Sequence, residues 1–73
     1  MSFIAIYSRN GEIQSESCRD YDESEKWIKE QSEAKTILPI SIVDLSTKEM
    51  VWYSEFIGID TCIYHTVKFI NQL

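Results

Sequence analysis

Cys62 and His65 stand three positions apart in "DTCIYHTVKF", the spacing at which a thiol and an imidazole share one face of a helix. Such a pair offers two ligands to zinc, or a thiolate together with its general base. A structural zinc site takes four ligands, and beyond this pair the chain holds only Cys18 and no second histidine. Carboxylates would have to complete the set, and no hydrolase motif surrounds Cys62. The expected arrangement is therefore a buried thiol beside a partly exposed imidazole, with no metal, no cofactor and no catalytic role.

A second cluster lies in "DYDESEKWIKEQ", residues 20–31, where Asp20, Asp22 and Ser24 fall at the first, third and fifth positions of a calcium loop. The sixth position of that loop needs glycine and holds Glu25, and the twelfth needs a bidentate glutamate and holds Gln31. The motif fails, which leaves the opening turn of a helix. Either Asp20 or Asp22 can cap it, with Glu23 or Glu25 three residues on as in a capping box. Acids in a first turn are favoured by the helix dipole, by about 0.3–1 kcal/mol each. Imitation of nucleic acid is a weaker reading, because twelve acidic residues against seven basic ones leave a net charge of only −5. The same balance disfavours nucleic acid as a ligand. With Gly11 and Gly58 the only glycines there is no phosphate-cradling loop, and no serine sits in a nucleophile elbow. The expected class is not an enzyme.

Positioning these residues requires elements that the pattern supplies in order. "FIAIYS", residues 3–8, is apolar on both alternating faces, as in an interior strand. Asn10-Gly11 then forms the tightest hairpin turn, and "EIQSESC" returns as a polar edge strand. A helix follows over about residues 22–34, with Glu25 and Lys29 paired on its surface and Trp27, Ile28, Gln31 and Ala34 toward the core. "TILPISIVDL" gives a third strand from near Pro39 to near Leu45, "STKE" a turn, and "MVWYSEF" a fourth strand. After Gly58, with Asp60 or Thr61 as cap, Ile59, Cys62, Ile63, Thr66, Val67, Ile70 and Leu73 recur at helical spacings. The order is ββαββα, an α+β fold with a mainly antiparallel four-stranded sheet and two helices, expected to share one face of it. Aligning the two hairpin turns brings almost no identical residues together, so the architecture repeats and the sequence does not.

At 73 residues, 44% hydrophobic with nine aromatics (three Phe, two Trp, four Tyr), the chain reads as a single folded domain, residues 1–73. Its thin core would gain from self-association. No signal peptide and no membrane-length apolar run is visible, which points to the cytoplasm and to cysteines kept as thiols. A bridge between Cys18 and Cys62 is left open.

Strand alternation sends Met50 and Trp52 to one face of the sheet and Val51 and Tyr53 to the other, and splits Phe3, Ala5 and Tyr7 from Ile4 and Ile6. With both helices on one face, the other would expose an apolar patch of the kind that marks an interface; helices divided between the faces, or a curled sheet, would hide it. The expected function is thus a non-catalytic protein–protein interaction module, with Tyr7, Trp52 and Tyr53 as contact residues and homo-oligomerisation through the sheet face or the last helix. By analogy with other small acidic domains it suits an inhibitor or accessory factor, including one carried by a phage or mobile element. The alternative is a small-molecule-binding homo-oligomer whose pocket lies between protomers, with Tyr64, His65 and Lys68 holding an anionic ligand. Single-stranded RNA stacking on the aromatic strands lacks the flanking positive charge it needs.

Overall fold

A computed structural model describes residues 2–73. The elements are β1 (Phe3–Arg9), β2 (Glu12–Cys18), α1 (Tyr21–Glu33), β3 (Leu38–Asp44), β4 (Glu49–Tyr53) and α2 (Ile59–Ile70). The strands form one sheet in the order β2-β1-β3-β4, each neighbouring pair antiparallel. This is the α+β fold of order ββαββα that the patterns predict. Asn10 (φ 53°) and Gly11 (φ 82°) both adopt the left-handed backbone of a two-residue turn. That turn fixes the register of β1 on β2 from Arg9 opposite Glu12 to Phe3 opposite Cys18.

Asp20, not Asp22, caps α1, its Oδ1 accepting the Glu23 backbone N–H at 2.8 Å. Glu25 pairs with Lys29 at 3.4 Å and also accepts the Tyr21 hydroxyl at 3.0 Å. Ser24 and Ile28 are buried; Ala34, expected on the core side, is exposed. The helix ends in a Schellman turn, in which Thr36 N–H donates to Gln31 C=O and Lys35 N–H to Ser32 C=O. Its left-handed position is held by Lys35 (φ 59°) where glycine would be unstrained.

The two helices lie on opposite faces of the sheet, which corrects the expectation that they share one. Phe3, Ala5 and Tyr7 of β1 pack with Ile28, Ile37 and Ile42, with Tyr21, Trp27 and Trp52 against them. The alternate residues Ile4 and Ile6 pack instead with Ile40, Val43 and Cys62, beneath Phe69 and Ile70 of α2. β1 is apolar on both sides because each side meets a different helix. On the α2 face, the hydroxyls of Ser41 and Thr66 form a buried hydrogen bond that ties α2 to β3.

Two irregularities interrupt the strand alternation. The β1–β3 register runs from Ile6 opposite Ser41 directly to Tyr7 opposite Pro39, leaving Ile40 as an extra residue. Ile40 consequently joins the α2 side, although Ile42, two residues on, belongs to the α1 side. On β4, Trp52 sits opposite Ile42 and Met50 opposite Val43, so Val51 is the extra residue. Met50 therefore packs with the α2 core and Trp52 with the α1 core, whereas simple alternation puts them on one face. β4 also stops at Tyr53, short of the expected Phe56. Ser54 is buried there, and its hydroxyl accepts the Phe56 N–H at 3.0 Å, closing a turn. Gly58 takes the N-cap position of α2 with no side-chain cap, so neither Asp60 nor Thr61 fills that role.

Candidate functional site

Tyr7 is only 5% exposed, packed against the Trp27 ring at 5.1 Å between centroids. It is a core residue of the α1 face, which removes it from the surface on which a partner could land. Its position on an interior strand covered by a helix is the physical reason. Trp52 is half-buried, and Tyr53 is 48% exposed. The bulge at Val51 separates Trp52 from Met50, with which simple alternation groups it.

Trp52 borders a cleft of about 230 Å³ between the end of α1 and the strand β4. α1 packs over β1, β2 and β3, so the β4 side of that face is left uncovered. Ile28, Pro39 and Trp52 form apolar parts of the wall, Lys29, Glu33 and Glu55 polar ones, and Phe56 stands beside them, 72% exposed. The sequence pattern does not single out Phe56, because it takes the residue as the end of β4, whereas the strand stops at Tyr53. A half-buried indole next to a projecting phenyl ring is a combination typical of hot-spot anchors.

The other exposed apolar surface belongs to α2. Ile59 (46%), Ile63 (43%) and Val67 (51%) stand open, although helical spacing groups them with the core. Only Cys62 and Thr66 of α2 are buried, so its apolar arc is wider than the sheet can cover. The signal was present in the sequence as the breadth of that arc. The open flank adjoins β4: Ile63, Thr66, Val67 and Ile70 border a shallow groove with Lys48 and Met50. Of the nine large hydrophobics exposed among the described residues, six lie on β4 or α2: Val51, Tyr53, Ile59, Ile63, Tyr64 and Val67.

The residues of the ligand-binding alternative are neighbours on α2, where Lys68 borders two adjoining surfaces. His65 and Lys68 share a cleft of about 220 Å³ with Ile13, Phe69 and Gln72, on the β2 side of α2. Tyr64 borders the second, more open surface with Ile63, Val67 and Lys68. The Lys68 ammonium lies 5.7 Å from the Tyr64 ring centroid, and the His65 ring meets Tyr64 edge-on at 5.3 Å.

Cys62 is fully buried, its Sγ directed at the Ser54 carbonyl, while His65 is half-buried one turn later. Cys18, opposite Phe3 in the register, lies on the α1 face. The two free thiols thus sit on opposite sides of the sheet, which excludes a bridge between them. Burial pushes the Cys18 thiol up, so at neutral pH it is protonated and a poor nucleophile. Burial, with its hydrogen bond to Glu25, likewise raises the Tyr21 phenol. Asp44 is held below the ordinary carboxylate range by hydrogen bonds from the Ser46 hydroxyl (2.6 Å) and N–H (2.9 Å). Among the described residues no group of three or more His, Cys, Asp and Glu side chains is placed to hold a metal ion. Among the described residues no helix is long and apolar enough to cross a membrane. No protein-family model, curated protein or solved structure matches the chain at a significant level.

Proposed function

We propose that this protein is a non-catalytic protein-interaction module of the cytoplasm, acting as an inhibitor or accessory factor that occludes or bridges a protein partner. The observation that carries the reading is Phe56, a phenyl ring 72% exposed at a cleft whose wall includes Trp52. Exposing such a ring lacks a folding benefit, and burying it against a partner regains about 1.5–3 kcal/mol. Lys29, Glu33 and Glu55 give the cleft a polar margin of mixed sign, the usual surround of an apolar anchor.

The test is affinity capture of the full chain and of Phe56→Ser from the cells that produce it, with circular dichroism confirming that the variant folds. A polypeptide held in fixed ratio by the wild type and lost by the variant is the expected result. Equal capture by both proteins removes the Phe56 cleft as the site. A second reading, binding of a small anion, is favoured by the convergence of His65, Lys68 and Gln72 on one cleft. Native mass spectrometry that shows a small retained mass, absent from His65→Ala/Lys68→Ala, would support it over the first.

A further inference from the structure

Taking the Phe56 cleft as the contact site for a protein, we infer that the residue the partner places in it is an arginine, held by the carboxylates of Glu33 and Glu55 and stacked on the aromatic wall. The cleft measures about 230 Å³, less than the roughly 300–1,000 Å³ of a site for a drug-sized molecule. It therefore admits one long side chain. Ile28 and Pro39 are buried and Trp52 is half-buried, so the inner wall is apolar, while the charged residues stand at the exposed margin. A side chain with an apolar stem and a charged head matches that division.

The sign of the head follows from which charges are already matched. Lys29 borders the cleft, but its Nζ lies 3.4 Å from Glu25 Oε2, so a carboxylate outside the cleft answers it within α1. Glu33 and Glu55 make no ion pair among the described residues. They stand on different elements, Glu33 in the last turn of α1 and Glu55 just after β4. That last turn has no basic residue, which leaves Glu33 at the negative end of the helix dipole with nothing to offset it. A cation in the cleft relieves both carboxylates at once, whereas an anion is repelled by them. The net charge of −5 adds a longer-range attraction for a basic partner.

Arginine suits this wall better than lysine. Its guanidinium is planar and weakly hydrated, so it stacks on an aromatic face while its N–H fork reaches carboxylates. Trp52 and Phe56 supply such faces beside the two glutamates. The receiving turn is also fixed before anything binds. Buried Ser54 donates its N–H to the Ile40 carbonyl at 2.9 Å, accepts the Phe56 N–H on its hydroxyl and receives the Cys62 thiol on its carbonyl. These three bonds pin the backbone that carries Glu55 and Phe56, which lowers the ordering cost of closing them around a side chain.

Selection of a random displayed-peptide library on the full chain tests this, with the enriched peptides remade so that citrulline, which keeps the shape and removes the charge, replaces each arginine. Binders should carry an arginine whose replacement weakens binding by about tenfold to a hundredfold. Glu33→Gln/Glu55→Gln should weaken the arginine peptide to a similar extent and leave the citrulline peptide unchanged, and Phe56→Ser should abolish binding of both. Both glutamates are exposed, so the double variant should keep the fold, which circular dichroism checks. Peptides lost on Phe56→Ser yet indifferent to citrulline or to the glutamines, or anchored by an acidic or purely apolar residue, overturn the arginine and leave the cleft as a contact site. Peptides indifferent to Phe56→Ser remove the cleft as well. A library that yields no binder overturns the arginine, while capture of a partner through Phe56 stands on its own test.

Discussion

α1 and α2 are nearly equal in length, thirteen and twelve residues, yet α1 carries none of the nine large exposed hydrophobics and α2 carries four. The strands beside them differ in the same sense. β2, which α1 partly covers, is polar along its open edge, whereas β4 presents Met50, Val51, Trp52 and Tyr53. Even the caps follow suit: Asp20 closes α1 with a side-chain hydrogen bond, and Gly58 opens α2 with none. Each hairpin and its helix has the same order of elements, so architecture does not explain the contrast. The first unit is completed within the chain, by capping, ion pairing and a solvated outer face. The second leaves Val51, Tyr53, Ile59, Ile63, Tyr64 and Val67 exposed.

The contrast can be broken most directly in the cores. Ile28, fully buried on the inner side of α1, should cost about 2–5 kcal/mol of folding stability when replaced by alanine. Ile63→Ala on the outer flank of α2 should cost at most about 0.5 kcal/mol in the monomer. Urea denaturation at a concentration low enough to keep the chain monomeric measures both, and similar losses would mean that the α2 flank is core after all. A smaller difference is expected at the caps. Asp20→Ala should destabilise by about 1 kcal/mol, whereas Gly58→Ser should stabilise by a few tenths. A Cβ at Gly58 meets nothing within 4 Å, so the serine enters open space. Loss of stability in both variants, read from the same denaturation curves, would contradict the assignment of Gly58 as an unfilled cap.

The smallest effect is electrostatic and sits in the second hairpin. The folded-state carboxyl of Asp44 is held below its ordinary value of 3.8 by the hydrogen bonds from Ser46. Its contribution is present in full above that value and is lost as pH falls through the lower, folded-state value. Between about pH 5 and about pH 2 the urea midpoint of the wild type should fall toward that of Asp44→Asn. A constant gap between the two proteins would remove Asp44 as the titrating group. The carboxylate borders solvent in an exposed turn, so the change in midpoint should be slight.

Much of the fold is legible from local chemistry. Asn10-Gly11 dictates a hairpin because both residues tolerate positive φ, and Asp20 three residues before Glu23 marks a helix start because its side chain reaches an unpaired N–H. The burial of Cys62 and the partial exposure of His65 also follow from the sequence. The distribution of side chains between the two faces does not. Alternation assumes that every residue advances the strand by half a pleat, and Ile40 and Val51 break that assumption without any glycine or proline to mark them. Ile40 and Met50 therefore fall on the face opposite Ile42 and Trp52, and Tyr7 is buried because a helix covers its side of β1. The side of the sheet that each helix covers is set by tertiary packing, which no local spacing encodes. Phe56 is not singled out for a related reason, since the end of β4 is decided by the buried Ser54 and not by the apolar run that continues past it.

The placement of one thiol under each helix has a kinetic consequence. Cys18 is shielded by the α1 layer and Cys62 by the α2 layer, and the sheet stands between them. Each sulfur becomes accessible to an alkylating reagent only when its own layer opens, so the two modification rates time two separate events in one molecule. Equal rates would show that the layers open together in global unfolding. Faster labelling of Cys62 would show that the α2 layer lifts while the rest of the chain keeps its native structure.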